Sequence, residues 1–323
     1  MNRFALLAAG LTALALSVFS ARAWDPLGHM LVAQIAYDNL TPAAKTNVDA
    51  LVTRFDAKDK PDADYNFVTA ACWMDDIRSR PTMKAYAAWH YVNLPFTADG
   101  MPIPNASAGP NVINGIEKAE GIISGAQTDP AIDKDMATMI LLHLVGDIHQ
   151  PLHTTSKPDD MGGNKVSVGN LKDPLADLIF SKGGNLHFFW DSAYRRIYKE
   201  GFATVKFEAP VYDRLKPVTG HNEALALVRT NADEIEKDYP ASVVTEQGDA
   251  VSWAKESHAL GFATGYGKLP AASPGKPIKL TQAYVTEAQG IAEKRIALAG
   301  YRLAALINKF YGEPAPASTP AAK

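Results

Sequence analysis

The sequence predicts an all-α fold: one multi-helix domain with minor β structure confined to loops. Three observations carry this reading. Apolar residues recur at helical spacing through successive segments, so each segment can bury one face. Strand-like alternation is confined to two short stretches, 165–168 and 203–207. Capping residues and prolines stand where a helix must start or stop.

In chain order, the first 23 residues stand apart. Arg3 precedes an apolar run from Phe4 to Ser20, and Ala21-Arg22-Ala23 is a small-x-small cleavage signal. Gly10, Thr12 and Ser17 interrupt the run, whereas a membrane-spanning helix needs about 20 apolar residues. The expectation is an exported chain, periplasmic or extracellular, that begins at Trp24 and has no stable membrane association. Met30–Leu40 has helical spacing. Thr41-Pro42 then supplies an N-cap and a proline at the first helical position for a helix to about Phe55. Asn111–Ser124 and Pro130–Ile148 follow. The latter is stopped by Pro151, which lacks an N–H and crowds the preceding turn. His187–Tyr198, Asn222–Asp238, Asp249–Ala263 and a long amphipathic Thr281–Tyr311 complete the set. Stretches 156–184 and 265–277 are loops by their Gly, Pro, Asp, Lys and Ser content. Residues 314–323 form a Pro/Ala-rich tail expected to be disordered. No interior linker divides 24–313, so one domain is expected there.

The formal net charge is −3, and it becomes −5 once Arg3 and Arg22 are removed. That argues against a general electrostatic clamp on duplex nucleic acid. It leaves room for a locally positive site created by bound metal. Cys72 is the one cysteine, so no internal disulfide can form. Stability must come from core packing and from bound ions.

The densest chemistry lies in His143-Leu-Val-Gly-Asp147-Ile-His149-Gln-Pro-Leu-His153. His143 and Asp147 are four positions apart, so both project from one helix face. His153 lies past the Pro151 break and can point elsewhere. Imidazole and carboxylate together are the ligand set of zinc and related divalent ions. A lone histidine in such a helix would be a hydrogen-bonding core residue, but three with an aspartate favour metal. Further candidate ligands recur beside aromatics: Trp24 to His29, Trp73 to Arg78 with Asp75, His90-Tyr91 with Asn93, and His187 to Asp191.

With these motifs, the chain resembles the zinc-dependent single-strand-specific nucleases of the S-one/P-one family, which share a helical fold with zinc-dependent phospholipases C. The likeness spans the chain from Trp24 and includes Gly162-Gly163-Asn164, Trp253 to Ser257 and Ala299 to Asn308. The resemblance implies three zinc ions. One would be held by Asp75, His90, His143 and Asp147. A second would be held by Asp147, His29 and the free α-amino and carbonyl groups of Trp24. A third would be held by His153, His187 and Asp191. It also implies Asp75 and Arg78 as catalytic residues, acting on a metal-activated water and on the transition-state charge. Tyr91, Asn93, Asn164 and Asn185 would contact substrate, and His149 is not a ligand. The implied substrates are single-stranded DNA and RNA and 3′-nucleotides, cut to 5′-phosphorylated products by a monomer. Two departures stand out. Asp25 occupies a place where the family often has Gly, and Asn93 one where fungal members are acidic. The rivals are a phospholipase C, against which Asp191 stands where those enzymes have Glu, and a non-catalytic zinc-binding protein, which would need neither Arg78 nor Tyr91.

Overall fold

The computed structural model describes residues 24–59, 64–78, 80–96, 109–169, 184–194 and 217–313. The export signal, the 203–207 strand candidate and the tail from 314 lie outside the described residues. Helices dominate, as expected. Helix α1 (Pro26–Asp38) starts four residues before the expected Met30. Asp25 supplies its N-cap by accepting the Gly28 N–H at 3.0 Å, and Pro26 follows in the first turn. The acidic residue at 25 therefore has a structural job: it also accepts the Tyr194 hydroxyl. Helix α2 (Pro42–Asp59) opens at the expected Thr41, whose hydroxyl accepts the Ala44 N–H. Two single-turn helices, α3 (Phe67–Ala70) and α4 (Trp73–Asp76), precede a 3-10 stretch, Pro81–His90.

Helix α5 (Val112–Ile123) is capped by Asn111 and packs against α6 (Lys134–His149), which is capped by Asp133. From Ala137 to His149 every residue of α6 is buried, so this helix runs through the centre of the fold. It ends where Pro151 requires, and a 3-10 turn, Pro151–His153, reverses the chain. Helix α7 (Leu186–Ser192) carries the expected His187/Asp191 pair, while 195–198 of that expected helix lie outside the described residues. Helix α8 (Pro217–Asp238) packs on α1. Helix α9 (Ala250–Leu260) runs on as a π-helical turn, Gly261–Tyr266. The expected loop at 265–277 therefore starts two residues later. At this turn the chain presses so closely on the 3-10 turn after α6 that a Cβ on Gly261 would lie 2.8 Å from the Pro151 carbonyl oxygen. The last helix, α10 (Gln282–Tyr311), crosses α1 closely, since a Cβ on Gly300 would stand 2.6 Å from Ile35 Cβ.

The β structure is slight. Strand β1 (Ser167–Gly169) overlaps the expected 165–168. It pairs antiparallel with β2 (Gly184–Asn185), Ser167 opposite Asn185, and parallel with β3 (Ile278–Lys279), Val168 opposite Ile278. Two-residue strands leave no alternation to read, which is why β2 and β3 had no sequence signal.

The C-terminal end of α6 lies inside the protein, where its last carbonyls need donors other than water. The Ser257 hydroxyl donates to the Ile148 oxygen at 2.6 Å, and Arg295 Nε to the His149 oxygen at 3.1 Å. Glu256 accepts from both Arg295 and Arg302 at 2.7 Å, and Arg302 also donates to His149 Nε2 at 3.0 Å. His149 thus serves as a hydrogen-bonding helix-end residue, as expected. Burial works against the Glu256 charge, but the two guanidiniums outweigh it and hold the carboxyl below its ordinary range. Glu256→Gln would leave two buried cations without this counter-charge, and because the Glu256 side chain keeps 37% exposure we expect a loss of about 1–2 kcal/mol in urea unfolding at pH 7. A carboxyl lowered in the folded state stabilises fully above its unfolded pKa of about 4.3 and loses that contribution as pH falls through its folded value. The gap between wild type and Glu256→Gln should therefore be full at pH 6 to 7 and narrow below about pH 4.

Candidate metal centre

Three groups of His and carboxylate donors lie around α6. His29, His143 and Asp147 form one; Asp75, His90 and His143 a second; His153, His187 and Asp191 a third. Within each, donor atoms lie within 4.8 Å of one another. The spacing inside α6 does what the sequence implied: His143 Nε2 stands 3.3 Å from Asp147 Oδ2. Asp147 then faces His90 Nδ1 at 3.1 Å with the same oxygen and His29 Nε2 at 3.4 Å with the other. One carboxylate thus borders two groups. His29 arrives from α1 with its ring stacked on His143 at 3.9 Å between centroids. Asp75 arrives from α4, 3.8 Å from His90 Nδ1.

The imidazoles are oriented from behind by the main chain. His143 Nδ1 donates to the Ala71 oxygen at 2.7 Å, His153 Nδ1 to the His90 oxygen at 2.6 Å, and His187 Nδ1 to the Gly162 oxygen at 2.7 Å. A carbonyl only accepts, so each Nδ1 carries a proton, and Nε2 is the nitrogen that each ring turns into its group as a lone pair whenever the ring is neutral. Such outer hydrogen bonds are typical behind metal-ligating histidines. Gly162 can take its place because its φ is +64°, and a Cβ there would stand 2.9 Å from the Leu152 oxygen.

His153 Nε2 and His187 Nε2 lie 3.2 Å apart. Two lone pairs at that distance repel, and a cation between them removes the repulsion. Nitrogens about 2.0–2.1 Å from a tetrahedral ion stand about 3.3 Å apart, so the separation fits. Oδ1 of Asp75 and of Asp147 are buried and make no hydrogen bond among the described residues, with Arg78 Nη1 and His29 Nε2 standing off at 3.6 and 3.4 Å. Buried carboxylate oxygens without donors are costly unless a cation meets them. The donor sets therefore fit small divalent ions.

The remaining expected residues fall around these groups. Trp24 is fully buried, and its indole donates to the Gly146 oxygen at 2.8 Å, which brings the residue beside Asp147. Arg78 Nη1 stands 3.6 Å from Asp75 Oδ1 and keeps some exposure. Tyr91 is half-buried next to His90, and Asn93 is exposed, its oxygen 3.5 Å from where a Gly162 Cβ would lie. Asn164 is half-buried and donates to the Met161 oxygen at 2.8 Å. Asn185 has another task as well: its side chain caps α7 by accepting the Phe188 N–H at 2.7 Å. A fourth cluster, Asp38, Asp233 and Glu236, was not read from the sequence. Arg229 threads it, 2.7 Å from Asp38 and 3.4 Å from Asp233, so two of the cluster's three carboxylates are already paired.

Burial opposes charge on Asp191, Asp147, His90 and His143. It pushes the Asp191 carboxyl well above its usual range and raises Asp147 too. It lowers His90, with the nearby His143 and Arg78 adding to the effect. On His143 burial also acts downward, but the Asp147 charge and hydrogen bond, with Asp75, prevail and raise the ring to about 9. A base raised in this way is protonated in the metal-free protein at pH 7.5, and a metal must displace that proton to reach Nε2. We expect metal uptake at pH 7.5 in weak buffer to release about one proton from this ring alone, with the release shrinking as pH rises past 9. A pH-indicator titration, with His143→Ala as control, measures it.

The comparisons agree with this geometry. The family model described as S1/P1 Nuclease matches residues 24–312. Nuclease P1 of Penicillium citrinum is 25% identical over 298 residues, which cover 90% of this chain and 98% of that protein. Endonuclease 1 of Arabidopsis thaliana is 24% identical over 323 residues, covering 92% of this chain and 90% of its own length. Endonuclease 4 of the same plant is 25% identical, covering 89% of each. The chain belongs to the S1/P1 nuclease family, and it is a hydrolase of phosphodiester bonds.

Proposed function

We propose that this chain is an exported zinc endonuclease and 3′-nucleotidase. It acts on single-stranded DNA and RNA and on 3′-nucleotides, releases 5′-phosphorylated products and works as a monomer. The observation that carries the metal reading is the pair of inward-turned Nε2 atoms of His153 and His187, 3.2 Å apart and each fixed by a carbonyl behind it. Zinc fits this set best, because nitrogen-rich donors with carboxylates at tetrahedral spacing are its usual environment. Three ions would be held as the resemblance implies: by Asp75, His90, His143 and Asp147; by Asp147, His29 and Trp24; and by His153, His187 and Asp191. Trp24 can lend its α-amino nitrogen only if the chain is cut between Ala23 and Trp24. Its pKa of about 8 leaves a neutral fraction at working pH. The proposed export signal and the proposed ligand thus depend on the same cut.

Bound zinc supplies Lewis acidity toward a phosphodiester and makes water a better nucleophile near neutral pH. The rest falls to the chain. Asp75 would accept the proton of the attacking water through one of its carboxylate oxygens. Arg78, one turn further along and partly exposed, donates to the phosphoryl oxygens as charge builds on them. Tyr91 offers a face for an unpaired base, a contact worth about 1–3 kcal/mol. A duplex hides its base faces, so such a platform selects single strands. Asn93 both donates and accepts, and it stands beside the Gly162 turn, where a base edge can meet it. Asn164 lines the same turn. Asn185, its oxygen already accepting one N–H as a cap, has its amide N–H groups left to offer. No helix among the described residues is long and apolar enough to cross a membrane.

Mature protein starting at Trp24 should release 5′-mononucleotides from single-stranded DNA and RNA, and phosphate from 3′-AMP. A chelator should abolish both activities. Turnover of phosphatidylcholine without turnover of nucleic acid would overturn the reading. Asp75→Asn should lower kcat by about 10²-fold or more. One extra residue ahead of Trp24 should remove one zinc per chain, measured by elemental analysis. Unchanged zinc content would refute the terminal ligand.

A further inference from the structure

The two imidazoles of the third group are held by main-chain carbonyls, but its carboxylate is held by a side chain. Gln150 Nε2 donates to Asp191 Oδ1 at 2.6 Å. That oxygen is the one turned toward His187 Nε2, at 3.6 Å, and His153 Nε2, at 3.9 Å. The other end of the amide accepts the Leu152 N–H at 2.5 Å. A backbone N–H can only donate, so the amide has one orientation, with its NH₂ group toward Asp191. Gln150 is fully buried. Its own main chain donates to the Asp147 oxygen at 3.0 Å and accepts from His153 N at 3.1 Å. One residue therefore touches an aspartate of the first two groups and two members of the third.

We propose that Gln150 is a positioning residue that sets the metal affinity of the His153, His187 and Asp191 site. The proposal rests on reading that site as metal-binding. The residue type suits the task. A neutral amide restrains the carboxylate oxygen without competing for its charge, as Lys or Arg would. Its second end closes the turn that aims His153. A carboxylate at 150 could still accept the Leu152 N–H but would face Asp191 with like charge. An apolar side chain would leave the metal-facing oxygen without its donor. Outer-shell partners of this kind typically change metal affinity by about 10–100-fold.

The test uses mature wild type, Gln150→Met, Gln150→Glu and Asp191→Ala. Each is dialysed against zinc buffers of graded free concentration and assayed for bound zinc. Unfolding of the chelator-treated proteins is followed in parallel. Both Gln150 variants should lose one zinc per chain at a free concentration about 10–100-fold higher than wild type, with the remaining zinc retained. Excess zinc should restore their turnover. If both keep the wild-type binding curve while Asp191→Ala loses one zinc, the role of Gln150 is overturned. The same follows if they lose all zinc together, because the defect would then be general. If Asp191→Ala itself binds as much zinc as wild type, the metal reading of the third site fails instead. Should Gln150→Met not fold, Gln150→Glu, nearly equal in size and still able to accept the Leu152 N–H, decides the matter by the same criteria.

Discussion

The arrangement depends on where helix Lys134–His149 stops. A helix that runs through the core must end among side chains, with its last carbonyls out of reach of bulk water. Here Ser257 and Arg295 meet the oxygens of Ile148 and His149, and Arg302 meets the His149 ring. Two guanidiniums at the negative end of a helix dipole are favourable, but two buried cations are not, and Glu256 offsets them. With the end clamped, Pro151 forces the chain into a 3-10 turn. His143 and Asp147 are left on one side of the corner and His153 on the other. Shifting the stop by one residue would rotate each donor by about 100° and disperse the groups.

The second constraint is the set of carbonyls behind the rings. Ala71, His90 and Gly162 come from separate parts of the chain, yet each fixes one imidazole tautomer. His90 does this while its own ring faces Asp147. The donor groups are thus placed by the scaffold rather than by one another. That is why they stay gathered although burial disfavours charge on Asp147 and Asp191. A fold that collects buried carboxylates and inward lone pairs is stabilised by cations, so metal binding and folding are linked.

How much of this could be read in the sequence follows the range of the interaction. The pairs His143/Asp147 and His187/Asp191 are local, set by helical spacing, and were legible as one-face pairs. The stop at Pro151 was legible because proline chemistry is local too. The start of the first helix at Pro26 was missed, because the cap is Asp25, a residue read only as a departure from a family pattern. Gln150 and the Glu256, Arg295 and Arg302 network were also missed. Their partners lie dozens of residues or more away, and neither a glutamine nor a charged helical residue announces burial. The assignment of donors to three groups came from the resemblance, and the structure then brought those same side chains together. Asn185 shows the converse. Its residue type suggested a polar contact in the cleft, and its position before Leu186 makes it a helix cap.

A net acidic chain that cuts a polyanion looks like a contradiction only if charge is averaged over the surface. At physiological ionic strength exposed charges are screened beyond about 8 Å, so a phosphate in the cleft feels chiefly what lies within a few bonds of it. Under the proposed loading, three divalent ions face three carboxylates, and Arg78 adds a further positive charge at the mouth. The local balance is strongly positive, although the chain itself, without the ions, carries a formal charge of −3. Attraction then appears only where the backbone can reach the buried donors. Long duplexes gain little from the outer surface. A flexible strand that can bend a phosphate inward and leave a base against Tyr91 gains both contacts. On this argument the proposed preference for single strands would come from the depth of the charge as much as from the stacking face.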